Sequence, residues 1–401
     1  MSSSNCLDHG TLSLLLGFVH AKTAMNIFRN SYLLLRYHQV KITRLGNMNS
    51  YYPVSIIATR SIADDVSKKL VFISKSTNIF ENLALEDWFY KNFDFENQSL
   101  LFMWVNTPCV VIGRHQNPWL EVNLKNLSQN SVLLSRRNSG GGTVYHDQGN
   151  LNCSFFTSRA RYNRKYNLET ICGSIRSHWN LDLTISPRED ILLNSYKVSG
   201  TASKLGHRNA YHHCTLLVDV DPSLLHQMLN VHELGIQSNS TPSVRSPTLN
   251  LKACCPEISV DEVIHILGCY YIKNSPLCFQ GFDFVTPSEE NFPGLNLIKQ
   301  SFSTWQWIYG KTPSFSLCCP IGDQSSEIKI QVLNGKIERL HFQDITIGKQ
   351  DALRLNTLLV NQKLDSELHG VISNSSVFGT MGEDRFSKLN EILLTLCLTS
   401  V

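Results

Sequence analysis

The stretch RRNSGGGTVYHDQGNLNCSFF, residues 136–156, is the most informative segment of this chain of 401 residues. It predicts a strand, a glycine-rich turn and a further strand, because apolar residues recur on both sides of the glycines. Three consecutive glycines, 140–142, let backbone N–H groups approach a ligand closely and adopt positive φ. With Arg136 and Arg137 beside them, these donors suit a phosphate or a carboxylate. A plain tight hairpin is the alternative explanation of the triplet.

This segment differs from the common nucleotide-binding signatures. It lacks the pattern G-x-G-x-x-G, and no Gly-Lys-Ser/Thr follows the glycines as in a P-loop. His146 and Asp147 come directly after the turn, and they suit a base and the residue that orients it. Polar residues at a strand end are an equally good explanation of that pair.

Two further motifs carry polar side chains next to apolar runs. Lys197 follows a strand-like run and precedes small residues, so it can reach a bound anion as a point charge or face solvent. His212 and His213 are adjacent, and neighbouring strand residues point to opposite faces, which disfavours one metal ion held by both. Cys214 suits a nucleophile activated by a histidine, but a buried thiol before the run TLLV is the expected state.

Together these motifs resemble the lipoate–protein ligase and lipoyltransferase family, and most of all its animal mitochondrial members. The resemblance covers roughly residues 70–315 in the family's order. The segments that carry it are WVNTPCVVIGRHQNPW (104–119), RRNSGGGTVYHDQGNLN (136–152), KVSGTASK (197–204), AYHHCTLL (210–217) and WQWIYGKTPSF (305–315). Cys214 stands where many bacterial members have Gly, and the catalytic Cys of octanoyltransferases lies in another motif. No catalytic role is therefore transferred to Cys214.

The resemblance implies an α/β (α+β) catalytic domain of the biotin/lipoate ligase type with a smaller C-terminal α+β accessory domain. Lys197 would be the catalytic residue, in contact with the phosphate and the reactive carbonyl of lipoyl-adenylate. No metal site is expected. The residues implied to bind lipoyl-adenylate are Arg137, Ser139, Gly140, Gly141, Gly142, Tyr145, His146, Arg188, Lys197, His213, Thr215 and Thr241.

The implied activity is transfer of a lipoyl group, with lipoyl-adenylate (lipoyl-AMP) or a lipoylated glycine-cleavage carrier, the H protein, as donor. The acceptor would be a specific lysine in the lipoyl domain of the E2 subunits of 2-oxoacid dehydrogenase complexes. One alternative is a complete ATP-dependent lipoate–protein ligase, which would also use ATP and magnesium. The other is a non-catalytic protein that binds lipoyl-adenylate or the carrier. The general base is open between His213 and the phosphate of the departing adenylate.

The charge of the chain divides sharply near residue 63. The formal net charge is +3, but residues 1–63 hold six Lys or Arg and a single acid, Asp8, so they carry +5 and the rest −2. A basic, Ser-rich, acid-poor start is typical of a transit peptide, which predicts the mitochondrial matrix. The weakly acidic body disfavours nucleic acid as a partner.

Length and composition indicate the domain organisation, the membrane association and the state of the cysteines. The predicted divisions are a transit segment at 1–63, a lipoyl-adenylate-binding catalytic domain at 64–286 and an accessory domain at 287–401. No apolar run approaches the ~18 residues of a membrane-spanning helix, so no membrane partner is expected. The 12 cysteines show no C-x-x-C pair and suggest free thiols in a reducing compartment. A monomer is the expected state.

Local patterns predict the elements outside the quoted stretch. Capping boxes at Asn78 and Ser259 open two helices, and Asn334–Gly335 marks a hairpin. The expected strands are 70–74, 100–105, 109–113 and 131–135, with a turn at 194–195; the expected helices are 78–90, 119–129, 259–271, 294–307 and 385–398, with a long loop at 235–256.

Overall fold

The structure is a computed structural model that describes residues 68–231, 235–273, 282–321, 326–343, 349–374 and 383–398. The transit segment predicted for residues 1–63 lies outside these ranges, so its targeting role stays a prediction. No helix in the described part of the chain is long and apolar enough to cross a membrane.

Strands and helices alternate irregularly along the chain. The strands are β1 (Lys68–Ser74), β2 (Gln98–Trp104), β3 (Cys109–Ile112), β4 (Leu133–Arg136), β5 (Val144–His146), β6 (Asn150–Ser158), β7 (Leu183–Ile185), β8 (Ile191–Leu193), β9 (Tyr196–Lys197), β10 (Ser199–Leu205), β11 (Asn209–Leu217), β12 (Ile236–Ser238), β13 (Asp283–Val285), β14 (Phe315–Ile321), β15 (Ser326–Leu333) and β16 (Lys336–Gln343). The helices are α1 (Ile79–Asn92), α2 (Pro118–Glu121), α3 (Leu124–Gln129), α4 (Arg164–Trp179), α5 (Pro222–Leu229), α6 (Val260–Lys273), α7 (Leu295–Phe302), α8 (Trp305–Ile308), α9 (Lys349–Leu359), α10 (Ser366–Asn374) and α11 (Glu383–Leu396).

The largest sheet has six strands in the order β10-β11-β6-β2-β1-β13. Strand β1 runs parallel to both of its neighbours, and the other pairs are antiparallel. Side chains of β2 alternate between the two faces, as the period of a strand requires. Leu101 packs with α4 and α6 on one face, and Phe102 packs with α1 and α7 on the other. The sheet is therefore covered by helices on both sides.

Helix starts follow the capping signals in the sequence. The Asn78 side chain accepts hydrogen bonds from the N–H groups of Phe80 and Glu81, and Ser259 accepts one from Glu262 N. The predicted helix over 119–129 is instead two helices, α2 and α3, because Val122 is extended and Asn123 caps a new start. The helix predicted over 294–307 is divided in the same way into α7 and α8, with Thr304 as the second cap.

The glycine-rich turn does not close a hairpin. In the sheet β4-β3-β5, the central strand β3 is parallel to β4 and antiparallel to β5. Cys109 of β3 pairs with Leu133 on one side and His146 on the other. The turn therefore crosses the end of β3 from one edge strand to the other, which excludes the plain hairpin as its explanation.

A small sheet, β7-β8-β9, contains Lys197 at the end of β9. The predicted turn between β8 and β9 has two residues with positive φ, Asn194 and Ser195.

A separate sheet, β12-β14-β15-β16, contains the predicted hairpin, with Asn334 and Gly335 at φ 52° and 73°. Strand β12 comes from the segment predicted as loop. One hydrophobic cluster joins residues such as Trp119 to the C-terminal sheet. The core thus crosses the boundary proposed at 286/287, and that division stays a prediction.

Candidate active site

A cavity of about 330 Å³ opens between β5, β9, β10, β11, α5 and the segment 243–248. This volume lies at the lower end of the range found for small-molecule sites. Its wall combines apolar side chains with hydroxyl groups, basic groups and one carboxylate. The lining residues are Glu121, Thr143, Val144, Tyr145, Lys197, Ser199, Gly200, Thr215, Leu217, Leu225, His226, Leu229, Asn230, Ser243, Val244, Arg245, Ser246, Pro247 and Thr248.

Lys197 is held on this wall through both its backbone and its side chain. Its N–H donates to Pro247 O at 3.0 Å, and its carbonyl accepts from Leu249 N at 3.0 Å. Its Nζ lies 2.8 Å from Oδ1 of Asp190, with the lysine and aspartate side chains 22% and 15% exposed. The ammonium group is therefore oriented by a carboxylate before any substrate binds.

Two other predicted residues share the cavity wall with Lys197. Thr215 lies opposite Gly200 in the β10–β11 pair, and its Oγ1 accepts from Gly200 N at 2.9 Å. Tyr145 is nearly buried, and burial raises the pKa of its hydroxyl, so the group stays protonated as a donor. The structure thus brings Tyr145, Lys197 and Thr215 together around one cavity.

The glycine-rich turn beside the cavity needs a glycine at position 141 for backbone reasons. Gly141 has φ +87°, a conformation that side chains with a Cβ rarely adopt. A Cβ on Gly113 would collide with the Gly141 carbonyl oxygen. Arg137 supports the turn from its buried side, because its Nη2 donates to Gly140 O at 2.6 Å and to Gly142 O at 2.7 Å. Its Nε has no hydrogen-bond partner within the described ranges.

Arg136 does not serve as an anion ligand, although its place in the sequence suggested one. The side chain is fully buried, and its guanidinium donates to the carbonyl groups of Ile308, Gly113 and Gln116 at 2.6–3.2 Å. Burial lowers the pKa of Arg136 to about 9. These contacts make Arg136 the anchor that joins the segment around α8 to the site.

The two predicted histidines lie in a buried polar network behind the turn. His213 Nδ1 is 2.8 Å from Glu86 Oε1, and its Nε2 is 3.3 Å from Asn152 Oδ1. His146 Nδ1 contacts Asn106 Nδ2 at 3.0 Å, and burial holds the pKa of His146 well below its usual range. Both rings are fixed in place, and His146 is neutral near pH 7.

Two further predicted residues lie outside both the cavity wall and this buried network. Arg188 is exposed in the loop that joins β7 to β8. Thr241 donates from its backbone N–H to His115 O at 3.2 Å, and its carbonyl accepts from Gln116 Nε2 at 3.4 Å. Neither residue lines the cavity, and Arg137, Ser139, His146, His213 and the three glycines do not line it either. All twelve contacts with lipoyl-adenylate stay predictions.

Cys214 is unsuited to a nucleophilic role. Its side chain is completely buried, and burial raises the pKa of the thiol to about 12. His212 packs against Phe155 on one face of β11, while His213 bonds Glu86 on the other, as the alternation of a strand requires. Among the described residues, no group of three His, Cys, Asp or Glu is arranged to hold a metal ion.

Sequence reasoning did not identify the partners that orient these side chains. Lys197 is paired with Asp190, and His213 contacts Glu86 and Asn152. Glu86 and Asn152 lie 127 and 61 residues from His213, so no local pattern in the sequence indicates these contacts. The same is true of Glu121 and Ser243, which are hydrogen-bonded to each other on the cavity wall although they lie 122 residues apart. Only Asp190, seven residues before Lys197 and separated from it by the predicted turn at 194–195, lies close enough for its proximity to have been suspected.

Comparison with known proteins agrees with this geometry. The family model of the lipoyl protein ligase A/B catalytic domain matches residues 78–272. The mitochondrial lipoyl amidotransferase LIPT1 of Homo sapiens is 39% identical over 309 residues, covering 74% of this chain and 83% of the human protein. The chain belongs to the lipoyl protein ligase A/B family. Lipoate-protein ligase A of Blochmanniella floridana is 33% identical over 305 residues, which are 73% of this chain and 88% of that protein.

The same fold occurs in a solved structure. P. falciparum LipL1 in complex with lipoate has a TM-score of 0.54 and 24% identity, and the match covers 81% of this chain and 99% of that one. The resemblance, the mixed α/β fold class and the assignment to an enzyme family of lipoyl transfer, all expected from the sequence, are confirmed.

Proposed function

We propose that this chain transfers a lipoyl group from lipoyl-adenylate to a specific lysine of a lipoyl domain, forming an amide. The observation that carries the proposal is Lys197 on the wall of a cavity, paired with Asp190, with Gly200 and Thr215 on the same wall. Family membership supports the reaction class, and the relative named lipoyl amidotransferase supports transfer rather than simple binding.

The residues present fit a polar, anionic group joined to an apolar one. Leu217, Leu225 and Leu229 supply apolar wall, while Lys197 and Arg245 supply positive charge.

Lys197 would act on charge that develops during the reaction. An acyl-adenylate is a mixed anhydride, so its acyl carbon is already activated. The acceptor amine forms the new C–N bond, and the bond from the acyl carbon to the phosphate oxygen breaks with AMP as leaving group. Preorganised donors such as the Lys197 ammonium stabilise the negative oxygen atoms, an effect often worth a few kcal/mol.

The proton of the attacking amine would go to a phosphate oxygen of the leaving AMP. The other candidate was His213, but both of its ring nitrogens are engaged, by Glu86 and by Asn152, and the ring is 4% exposed. A general base must reach the proton that it removes. The geometry therefore favours the phosphate over His213.

The donor and the acceptors are part of the proposal. Lipoyl-adenylate is the preferred donor, and a lipoylated glycine-cleavage H protein is the second one to test. The acceptors would be lipoyl domains of 2-oxoacid dehydrogenase E2 subunits, and the enzyme would work as a monomer in the mitochondrial matrix. The relative of the same family named mitochondrial supports that location.

The main alternative is a complete ATP-dependent ligase, since relatives with that name share the family. The purified protein is incubated with lipoate, ATP, magnesium and an acceptor domain, and pyrophosphate is measured beside lipoylation. We expect transfer from lipoyl-adenylate without pyrophosphate release from lipoate and ATP. Pyrophosphate release coupled to lipoylation would instead establish the ligase.

The catalytic assignment is tested by Lys197→Ala. We expect a loss of transfer of 100-fold or more with an unchanged circular dichroism spectrum and unfolding midpoint. Unchanged transfer by a folded variant would remove Lys197 from its role. If the wild-type protein binds a lipoyl-adenylate analogue but no donor is turned over, the non-catalytic alternative holds.

A further inference from the structure

Part of the cavity wall is an exposed segment that must be held in place. Residues 241–248, the strap, contain no helix or strand, and most of their side chains are exposed. Residues 243–248 nevertheless line the cavity, and Val244 is 54% exposed at its edge. A segment with so little buried surface depends on specific hydrogen bonds to stay ordered.

The C-terminal end of the strap is hydrogen-bonded to the backbone of Lys197. Pro247 O accepts from Lys197 N, and Leu249 N donates to Lys197 O, both at 3.0 Å. Thr248 pairs with Lys197 in a parallel bridge. This end of the strap therefore behaves as an extra strand beside β9.

The N-terminal end is held by backbone hydrogen bonds at Thr241, with His115 O and Gln116 Nε2, and by the side chain of Ser243. Its Oγ accepts from Thr143 N at 2.9 Å and from Gln116 Nε2 at 2.9 Å, and it donates to Glu121 Oε2. Its backbone N–H donates to Glu121 Oε1 at 3.1 Å. A hydroxyl has one donor and two acceptor positions, and all three are in use. Ser243 Oγ thus has no capacity left for a ligand.

The three partners of Ser243 belong to the framework of the site. Gln116 Oε1 accepts from Gly113 N at 2.8 Å and from Thr143 Oγ1 at 2.9 Å. Thr143 ends the glycine-rich turn, and Glu121 closes α2. Through Ser243 the strap is therefore joined to the glycine-rich turn.

We propose that Ser243 is a positioning residue that holds the strap against the glycine-rich turn, so that the cavity wall is formed before the donor binds and water is kept from the acyl carbon. The proposal rests on the proposed function. Without this hydroxyl, the strap keeps its backbone bonds at Lys197, Thr241 and Ser243 N but loses its bond to Thr143 N at the end of the glycine-rich turn, so binding should weaken more than the transfer step. Admitted water would attack the acyl carbon, break its bond to the phosphate oxygen and release lipoate and AMP.

The test compares Ser243→Ala with Ser243→Thr, which keeps the hydroxyl. A second control is Ser238→Ala, which removes a hydroxyl that accepts from Ser240 N at 3.1 Å. For Ser243→Ala we expect the Kd of a non-hydrolysable sulfamoyl analogue of lipoyl-adenylate to rise tenfold or more. The KM for lipoyl-adenylate should rise with it, kcat should change less than threefold, and hydrolysis should increase relative to transfer. Ser243→Thr and Ser238→Ala should stay within threefold of wild type in all four quantities.

Trypsin cleavage after Arg245 gives a readout that does not require turnover. We expect Ser243→Ala to be cut there faster than wild type by fivefold or more, and the sulfamoyl analogue to protect wild type. Wild-type affinity and wild-type cleavage in a folded Ser243→Ala protein would overturn the proposal, as would a loss confined to kcat. If the wild-type protein transfers nothing, the proposed function fails by itself, and the analogue Kd and the cleavage rate still decide the role of Ser243.

Discussion

The ammonium of Lys197 is paired with the carboxylate of Asp190 at 2.8 Å, and both side chains are mostly buried. Asp190 is itself fixed, because its backbone N–H donates to Ser186 Oγ at 3.1 Å and its carbonyl accepts from Ser186 N at 2.9 Å. The position of the ammonium group is therefore set by a loop that begins after β7. A displacement of about 1 Å at a reacting group can cost roughly 100-fold in rate.

We predict that Asp190→Asn lowers kcat for lipoyl transfer by tenfold or more, since the amide cannot hold the ammonium by charge. Asp182→Asn is the matched control, because Asp182 pairs with Arg176 at the surface and is 88% exposed. Single-turnover rates with lipoyl-adenylate measure the effect. Equal rates for Asp190→Asn and the control would show that the pair does not position Lys197.

His212 makes the free energy of unfolding depend on pH. It is fully buried, and burial lowers its pKa to about 3, so it is neutral when folded. Below pH ~6.5 the unfolded chain binds a proton that the folded protein does not, so stability falls as the pH decreases. His212→Phe removes this proton difference and keeps a ring beside Phe155. Between pH 7 and pH 5 we expect wild type to lose about 2 kcal/mol more than the variant. Urea unfolding at several pH values measures this, and parallel pH profiles would contradict it.

At the scale of elements, the glycine-rich turn is defined by one backbone conformation. Gly141 has φ +87°, and a Cβ there would lie 3.1 Å from Arg137 Nη2 and 3.2 Å from Thr201 O. Nothing lies within 4 Å of a Cβ built on Gly140. We predict that Gly141→Ala lowers the free energy of unfolding by about 1–2 kcal/mol, whereas Gly140→Ala changes it by less than about 1 kcal/mol. Urea unfolding of both variants measures the two changes in the free energy of unfolding. Equal changes would mean that the backbone strain is not at Gly141.

Elements with local signals were predictable from the sequence, and those built by distant contacts were not. The Asn78 and Ser259 caps and the Asn334–Gly335 hairpin lie where their side chains and φ preferences put them. The glycine-rich turn was recognised, but not its path across β3, because strand order depends on partners far along the chain. Lys197 was identified by its motif, whereas Ser243, an unremarkable serine in a predicted loop, acquires its role only through Glu121, Gln116 and Thr143.

At the scale of the whole molecule, Arg136 joins the C-terminal region to the site. Its guanidinium donates to carbonyl groups near α8 and after β3, and Trp307 Nε1 donates back to Arg136 O at 2.7 Å. Trp119 of α2 adds a second link through its donor bond to Leu396 O at 2.8 Å. The C-terminal sheet and helices are thus built into the core that supports the cavity.

We predict that Arg136→Lys lowers the free energy of unfolding by about 3 kcal/mol or more, because three donors replace five and several buried carbonyl groups lose their partners. Arg159→Lys, at an exposed position, is the control and should change stability by less than about 0.5 kcal/mol. Chemical denaturation of the full chain gives both values. Similar stabilities for the two variants would show that Arg136 does not hold the C-terminal region.

The most direct measurement is the intact mass of an acceptor lipoyl domain after incubation with the purified protein and lipoyl-adenylate. We predict one added lipoyl group on the acceptor lysine with wild-type protein and none with a folded Lys197→Ala variant. An acceptor that stays unmodified with lipoyl-adenylate, and also with a lipoylated H protein as donor, would contradict the transfer of a lipoyl group by this chain.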